Sequence, residues 1–323
     1  MPLAPLRVLV LGAGGTGGYF GARLAQAAAC QVSFLVRPAR AAALVKDGLR
    51  VQTPTQRFEV PHGKFSTVVD ASTAEAPDLV VVSCKAYDLD SAIKSISPCI
   101  SKNPSTLILP ILNGVKHFSR LDEVFSPSKV LGGCVYINSE LDAQGIIQKS
   151  TPLHRIVFGM RPGNSPHATD VLSRLLDAFK HTPVDARLSD NVMQDVWEKF
   201  VFTSSMAGMT CLMRAPVGTI ASSTEGRELM LRMMEECMLA AKLEGYPMRP
   251  HAVQDISSRL TDPESKITAS MLKDLLAGRQ IESDQLVGDM LAKLRKDSVA
   301  SGVMLQAALC HLESYNMLRS AKM

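Results

Sequence analysis

Gly12-Ala13-Gly14-Gly15-Thr16-Gly17 is the stretch that decides the fold. It follows the apolar run Arg7–Leu11 and opens a helical segment through Gly18–Gln26. A G-x-G-x-x-G loop between a strand and a helix has a mechanical reading. Gly12 permits the tight turn, Gly14 lets backbone approach a pyrophosphate, and Gly17 lets the helix pack close to the sheet. The helix amino end, with Gly15 and Thr16 in its first turn, offers N–H donors and the positive end of the dipole. The loop therefore predicts a dinucleotide site built from Gly12, Gly14, Gly15, Thr16 and Gly17. A plain structural turn is the competing reading.

The next strand-like run, Gln31–Val36, ends at Arg37, twenty residues after Gly17. Sites for NAD tend to carry an acid there for the ribose hydroxyls, whereas arginine accommodates a 2′-phosphate. No Asp or Glu occurs between Gly12 and Asp47. Arg37, with Arg40 nearby, therefore points to NADPH as the cofactor.

Outward from the loop, strand-like and amphipathic runs alternate. Leu79–Cys84, Thr106–Leu109 and Lys129–Ile137 are short, rich in Val, Ile and Leu, and bounded by polar or breaking residues. Gly145–Lys149 and Arg155–Phe158 read as a hairpin-type pair. Alternation of this kind predicts right-handed crossovers and a doubly wound, largely parallel sheet. From Asn191 onward the pattern is helical: Leu229, Met233, Cys237 and Ala241 recur every four residues, as do Leu286, Met290 and Leu294. Most of the 16 methionines lie in this half and read as flexible core filler. The expected architecture is an α/β chain with a Rossmann-type doubly wound domain over residues 1–188. An all-helical C-terminal domain follows over 189–323, with the cleft between them as the default site.

Composition excludes several classes. The 323 residues are 46% hydrophobic and 20% charged, ordinary for a globular protein of two domains. A net charge of +4, scattered along the chain, gives no basic patch for nucleic acid or a membrane surface. The seven cysteines are far apart with no C-x-x-C pair, and so read as reduced, mostly buried thiols. The seven histidines show no ligand-like spacing, so no catalytic metal is expected. No signal peptide or membrane span is read, which predicts a cytoplasmic protein. The terminal Ala321-Lys322-Met323 is a loose relative of a peroxisomal address and reads as a solvated tail. Self-association as a homodimer is left open.

Five patches, in order, carry a resemblance to a known family. They are the glycine loop, Ser83-Cys84-Lys85-Ala86-Tyr87, Leu112-Asn113-Gly114-Val115, Trp197-Glu198-Lys199, and Ser270-Met271-Leu272-Lys273-Asp274 with Glu282-Ser283-Asp284 twelve residues beyond Ser270. In these the chain resembles the ketopantoate reductases (2-dehydropantoate 2-reductases) over nearly its whole length. The resemblance implies NADPH-dependent reduction of a 2-oxo acid, in the first instance 2-dehydropantoate to pantoate, a step of pantothenate biosynthesis. It implies Lys199 as the general acid and Glu282 as the acid that binds the substrate hydroxyl and orients the lysine. Ser270 becomes a donor to the substrate carboxylate, while Asn113 and Lys85 position substrate and the nicotinamide end. Read alone, Lys199 is a solvated helix lysine and Asn113-Gly114 a turn.

The departures matter too. Lys199, Thr203 and Ala207 share one helix face at four-residue spacing. The family shows asparagine at the second and third positions, so Thr203 keeps a hydroxyl at the substrate and Ala207 keeps nothing polar. Near the end, the family's Thr-Pro-x-Asn-like patch becomes Gly302-Val303-Met304-Leu305-Gln306. The resemblance thus predicts the reaction better than the acceptor. Two alternatives stand beside it: a β-hydroxyacid dehydrogenase, whose Lys-x-x-x-Asn pattern Thr203 departs from, and a non-catalytic NADPH sensor that binds a partner.

Overall fold

The structure is a computed structural model and describes residues 4–27, 30–297 and 301–321. The chain forms two compact units, one of residues 1–112 and 117–193, the other of 113–116 and 194–323. Lys322 and Met323 of the terminal tripeptide lie outside the described residues.

The first unit begins β1 (Leu6–Leu11), α1 (Gly15–Ala25), β2 (Cys30–Leu35), α2 (Pro38–Asp47), β3 (Leu49–Gln52), β4 (Arg57–Val60) and β5 (Ser66–Val68). It continues with β6 (Leu79–Val82), α3 (Leu89–Lys102), β7 (Leu107–Pro110), α4 (Lys116–Phe125), β8 (Gly132–Leu141), β9 (Ile146–Gly159), α5 (His167–Lys180) and β10 (Asp185–Leu188). The central sheet has the order β5-β2-β1-β6-β7 and is parallel throughout. Strand β6, Leu-Val-Val-Val, is buried at every position, as a strand covered on both faces must be. Strand order reverses direction at β1, and the crevice beyond the carboxyl ends of such strands is where ligands of this fold bind. The Rossmann-type architecture expected from the sequence is the one observed.

One expectation is corrected. Gly145–Lys149 and Arg155–Phe158 are not two arms of a hairpin; Ile146–Gly159 is a single strand, and its antiparallel partner is β8. The residues that read as a turn, Ser150 to Leu153, form a bulge where the β8–β9 register shifts between Ile137 and Ser139. Lys149 folds back to donate to the main-chain carbonyls of Thr151 and Pro152, holding the bulge without ending the strand. The true turn is Asp142–Gly145, with the Asp142 carboxylate accepting from the Gln144 and Ile146 N–H groups. Strands β9, β3, β4 and β10 with β8 make a second, mixed sheet. Its short members β3 and β4 escaped the sequence reading because four residues of mixed polarity carry almost no periodic signal.

The second unit is helical: α6 (Val192–Met213), α7 (Val217–Ala221), α8 (Gly226–Leu243), α9 (Pro250–Leu260), α10 (Ser270–Leu276), α11 (Asp289–Leu294) and α12 (Val303–Ser320), with a π-helical turn at Asp284–Gly288. Helix α6 stops where Arg214 turns to positive φ ahead of Pro216. Met233, Cys237 and Ala241 of α8 are fully buried, the core role read from their spacing, and Leu229 at the start of that row is half-buried. The patch Gly302–Gln306 opens α12, whose Met304 and Leu305 N–H groups are capped by the Glu236 carboxylate at 2.9 and 2.8 Å. An anion at a helix amino end is favourable for the dipole. Among the described residues no helix is long and apolar enough to cross a membrane.

Candidate active site

The glycine loop sits at the carboxyl end of β1, at the switch point of the parallel sheet. Gly12 has φ +83°, a left-handed turn that favours glycine, and its N–H bonds to the Leu35 carbonyl at the end of β2. At Gly17 a Cβ would run into the Ser83 hydroxyl and lie 3.2 Å from both the Gly12 carbonyl oxygen and Val10. That glycine is therefore fixed by helix-on-strand packing. Gly12 and Gly14 differ: a Cβ at either meets nothing within 4 Å, so open space lies in front of the loop. No side chain caps the amino end of α1 and its first turn holds no acid. Backbone donors, positive dipole end and open space together fit a dinucleotide pyrophosphate.

Arg37 is exposed two residues beyond β2, whose last residue, Leu35, accepts from the Gly12 N–H of the loop. Arg40 is engaged differently, donating to the carbonyls of Ala13 at 3.2 Å and Gly145 at 3.3 Å. It clamps the glycine loop to the β8–β9 turn, and burial pushes its guanidinium below the usual arginine value, with Arg50 adding to the effect. Lys85 follows β6 and stands half-buried ahead of a short 3₁₀ turn.

Within the second unit the structure joins residues far apart in sequence. Lys199, on α6, is only 7% exposed, so it is not the solvated helix lysine that its sequence position alone suggests. Its Nζ donates to Asn113 Oδ1 at 2.9 Å. A charge-assisted bond of this kind contributes about 1.5–3 kcal/mol and fixes where the ammonium points. The adjacent Glu198 anchors the helix: the Arg249 guanidinium grips both its carboxylate oxygens, at 2.7 and 2.6 Å, and the Arg249 main-chain N–H and the Gln194 amide add two further donors. Burial alone would raise the Glu198 carboxyl, but these donors hold it below the ordinary glutamate value.

Glu282 is also 7% exposed and lies two residues ahead of the π-helical turn, its main-chain carbonyl accepting from Leu286 N–H at 3.2 Å. Ser270 is the first residue of α10 and is exposed. Thr203 is half-buried one turn beyond Lys199, and its hydroxyl donates back to the main-chain oxygens of Lys199 and Phe200 at 2.9 and 3.2 Å. Ala207 is 1% exposed. Sequence reasoning missed Gln285, whose amide reaches the Asn113 main chain; its only signal was a polar residue ahead of the apolar Leu286-Val287. It also missed Arg249, which no local pattern ties to Glu198. Among the described residues no cluster of His, Cys, Asp or Glu is placed to hold a metal.

A Rossmann-type unit joined to a helical unit with a buried, asparagine-held lysine is the plan of a two-domain oxidoreductase. Residues 8–163 match the ketopantoate reductase PanE/ApbA family, and residues 191–302 match that family's C-terminal domain. The chain belongs to this family of oxidoreductases. It is similar to YkpB of Bacillus subtilis, an uncharacterized oxidoreductase, at 32% identity over 311 residues covering 96% of this chain and 99% of the relative. A solved 2-dehydropantoate 2-reductase of Geobacter metallireducens is similar at 25% identity and TM-score 0.83, covering 96% of this chain and 99% of that one. The fold also matches D-mandelate dehydrogenase, solved with NADH and anilino(oxo)acetate, at TM-score 0.80 and 20% identity over 96% of this chain and 100% of that one.

Proposed function

We propose that the protein catalyses NADPH-dependent reduction of a 2-oxo acid to the 2-hydroxy acid, with 2-dehydropantoate as the leading acceptor. The observation that carries this reading is the buried Lys199 ammonium held on Asn113 Oδ1 at 2.9 Å. Reduction of a ketone needs positive charge at the developing alkoxide and then a proton, and a positioned lysine supplies both. When bound, the nicotinamide supplies the hydride. Gly12, Gly14, Gly15, Thr16 and Gly17 would hold the pyrophosphate, and Lys85 and Asn113 would hold the nicotinamide end. Arg37 would pair with the 2′-phosphate; Arg40, already bonded to two carbonyls, leaves that role to Arg37. Glu282, Ser270 and Thr203 would bind the acceptor.

A second acceptor class, 2-oxo acids with apolar branched side chains, is favoured by one observation. The Thr203 hydroxyl hydrogen is directed to its own helix backbone, and Ala207 offers no polar atom. The test is NADPH oxidation, followed by absorbance, with 2-dehydropantoate and a panel of branched and aromatic 2-oxo acids. Turnover on at least one of them is expected. Tight NADPH binding with no turnover on any would contradict the reading and favour a non-catalytic NADPH sensor.

A further inference from the structure

The Asn113–Lys199 bond is one half of a longer chain of contacts. Gln285 is 7% exposed and lies in the π-helical turn Asp284–Gly288. Its Nε2 donates to the main-chain oxygen of Asn113 at 3.0 Å, across 172 residues of sequence. The fit is close: Gly114 has φ +75°, and a Cβ there would lie 2.9 Å from the Gln285 carbonyl oxygen and 3.2 Å from Nε2. The turn is itself tied down. Ser204, on α6 just beyond Lys199, donates to the Leu286 carbonyl at 3.3 Å, and Lys116 pairs with Asp284 at 2.6 Å. A π-helical turn spends an extra residue to re-aim a side chain and is frequent where function needs that aim.

We infer that Gln285 is a positioning residue: by holding the Asn113 peptide it sets the direction from which Asn113 Oδ1 meets the Lys199 ammonium. The inference rests on the reading of Lys199 as proton donor. A carbonyl of the 113–114 turn released from Gln285 lets the peptide rotate, and Asn113 Oδ1 moves with it. Displacement of a catalytic group by about 1 Å costs on the order of 10²-fold in rate. A glutamine that only filled space would instead change stability and leave the rate per folded molecule alone.

The full chain carrying Gln285→Met, which keeps length and loses the donor, is compared with Asn113→Ala and with the double variant. In Gln285→Met, kcat should fall by roughly 10- to 100-fold, a larger change than any in the KM for NADPH, which the glycine loop and Arg37 would mainly set. The double variant should be no slower than Asn113→Ala alone, because the two act as a unit. Lys199 acylation by an amine-reactive reagent, read by peptide mass spectrometry with no substrate present, should change in Gln285→Met as it does in Asn113→Ala. A wild-type kcat, a multiplicative double variant, or Lys199 labelling altered only by Asn113→Ala overturns the inference. If the unaltered chain reduces no 2-oxo acid, the functional reading fails, and the labelling comparison still decides the role of Gln285. Gln285→Glu, which sets an acceptor against the Asn113 carbonyl, serves the same comparison where the methionine variant does not fold.

Discussion

The glycine loop and the Lys199 corner are built by opposite means. The loop is six consecutive residues, and what it offers is backbone: Gly12 in a left-handed turn, open space over Gly14, an uncapped helix end. The corner draws Asn113, Lys199 and Gln285 from segments up to 172 residues apart, and what it offers is side chains held by side chains. A site made of backbone is robust to most substitutions but not to an added Cβ. One made of side chains fails one residue at a time. The difference also decides what each region controls on the proposed reading: the loop governs whether cofactor binds, the corner whether anything happens afterwards.

The sharpest way to break that division is Lys199→Ala. Turnover should fall about 10²- to 10⁴-fold, the scale for a positioned acid, with NADPH affinity unchanged by fluorescence titration. A loss below roughly tenfold would mean the proton comes from another group. Gly17→Val attacks the other region through packing. The added atoms meet Ser83, Val10 and the Gly12 carbonyl, so stability should drop by about 3 kcal/mol in urea unfolding, with NADPH binding lost in parallel. A variant that melts and binds like the unaltered chain would show that the helix has room to shift.

Arg37→Asp should weaken NADPH binding about 10- to 100-fold and leave NADH binding nearly untouched, since one charge-assisted phosphate contact is removed. Equal losses for both cofactors would place the 2′-phosphate elsewhere. Glu198→Gln probes the support under the corner, and its effect should be the smallest, about 1–2 kcal/mol, because Arg249 is partly solvated. The sign follows from linkage. The Glu198 carboxyl is held below its ordinary value, so its contribution is fully present above that value and is lost as pH falls through the depressed one. Melting curves of the two proteins should differ at neutral pH and converge in acid below the ordinary glutamate range. A gap that persists there would mean the carboxylate charge is not what Arg249 stabilises.

Legibility followed the same line. The parallel sheet, the glycine loop and Arg37 at the end of β2 were readable because each rests on contiguous residues with a local periodicity. The methionine core of α8 was readable for the same reason, since 3.6-residue spacing shows in one helix. Strand β9 reads as two runs, Gly145–Lys149 and Arg155–Phe158, and nothing in the sequence announces that Lys149 will hold the residues between them as a bulge. Lys199 was legible only through family likeness: a lysine on a helix carries no sign of whether it will be 7% exposed. The partners of Gln285 and Arg249 were not legible, since they lie 172 and 51 residues away.

On the proposed reading, binding and chemistry belong to different residues, and one crossed experiment separates them. NADPH affinity and 2-oxo-acid turnover are measured side by side in Lys199→Ala and Arg37→Asp. Lys199→Ala should keep affinity and lose turnover. Arg37→Asp should lose affinity for NADPH yet recover turnover when the cofactor is saturating. Affinity and saturated turnover falling together in both variants would overturn this division between binding and chemistry.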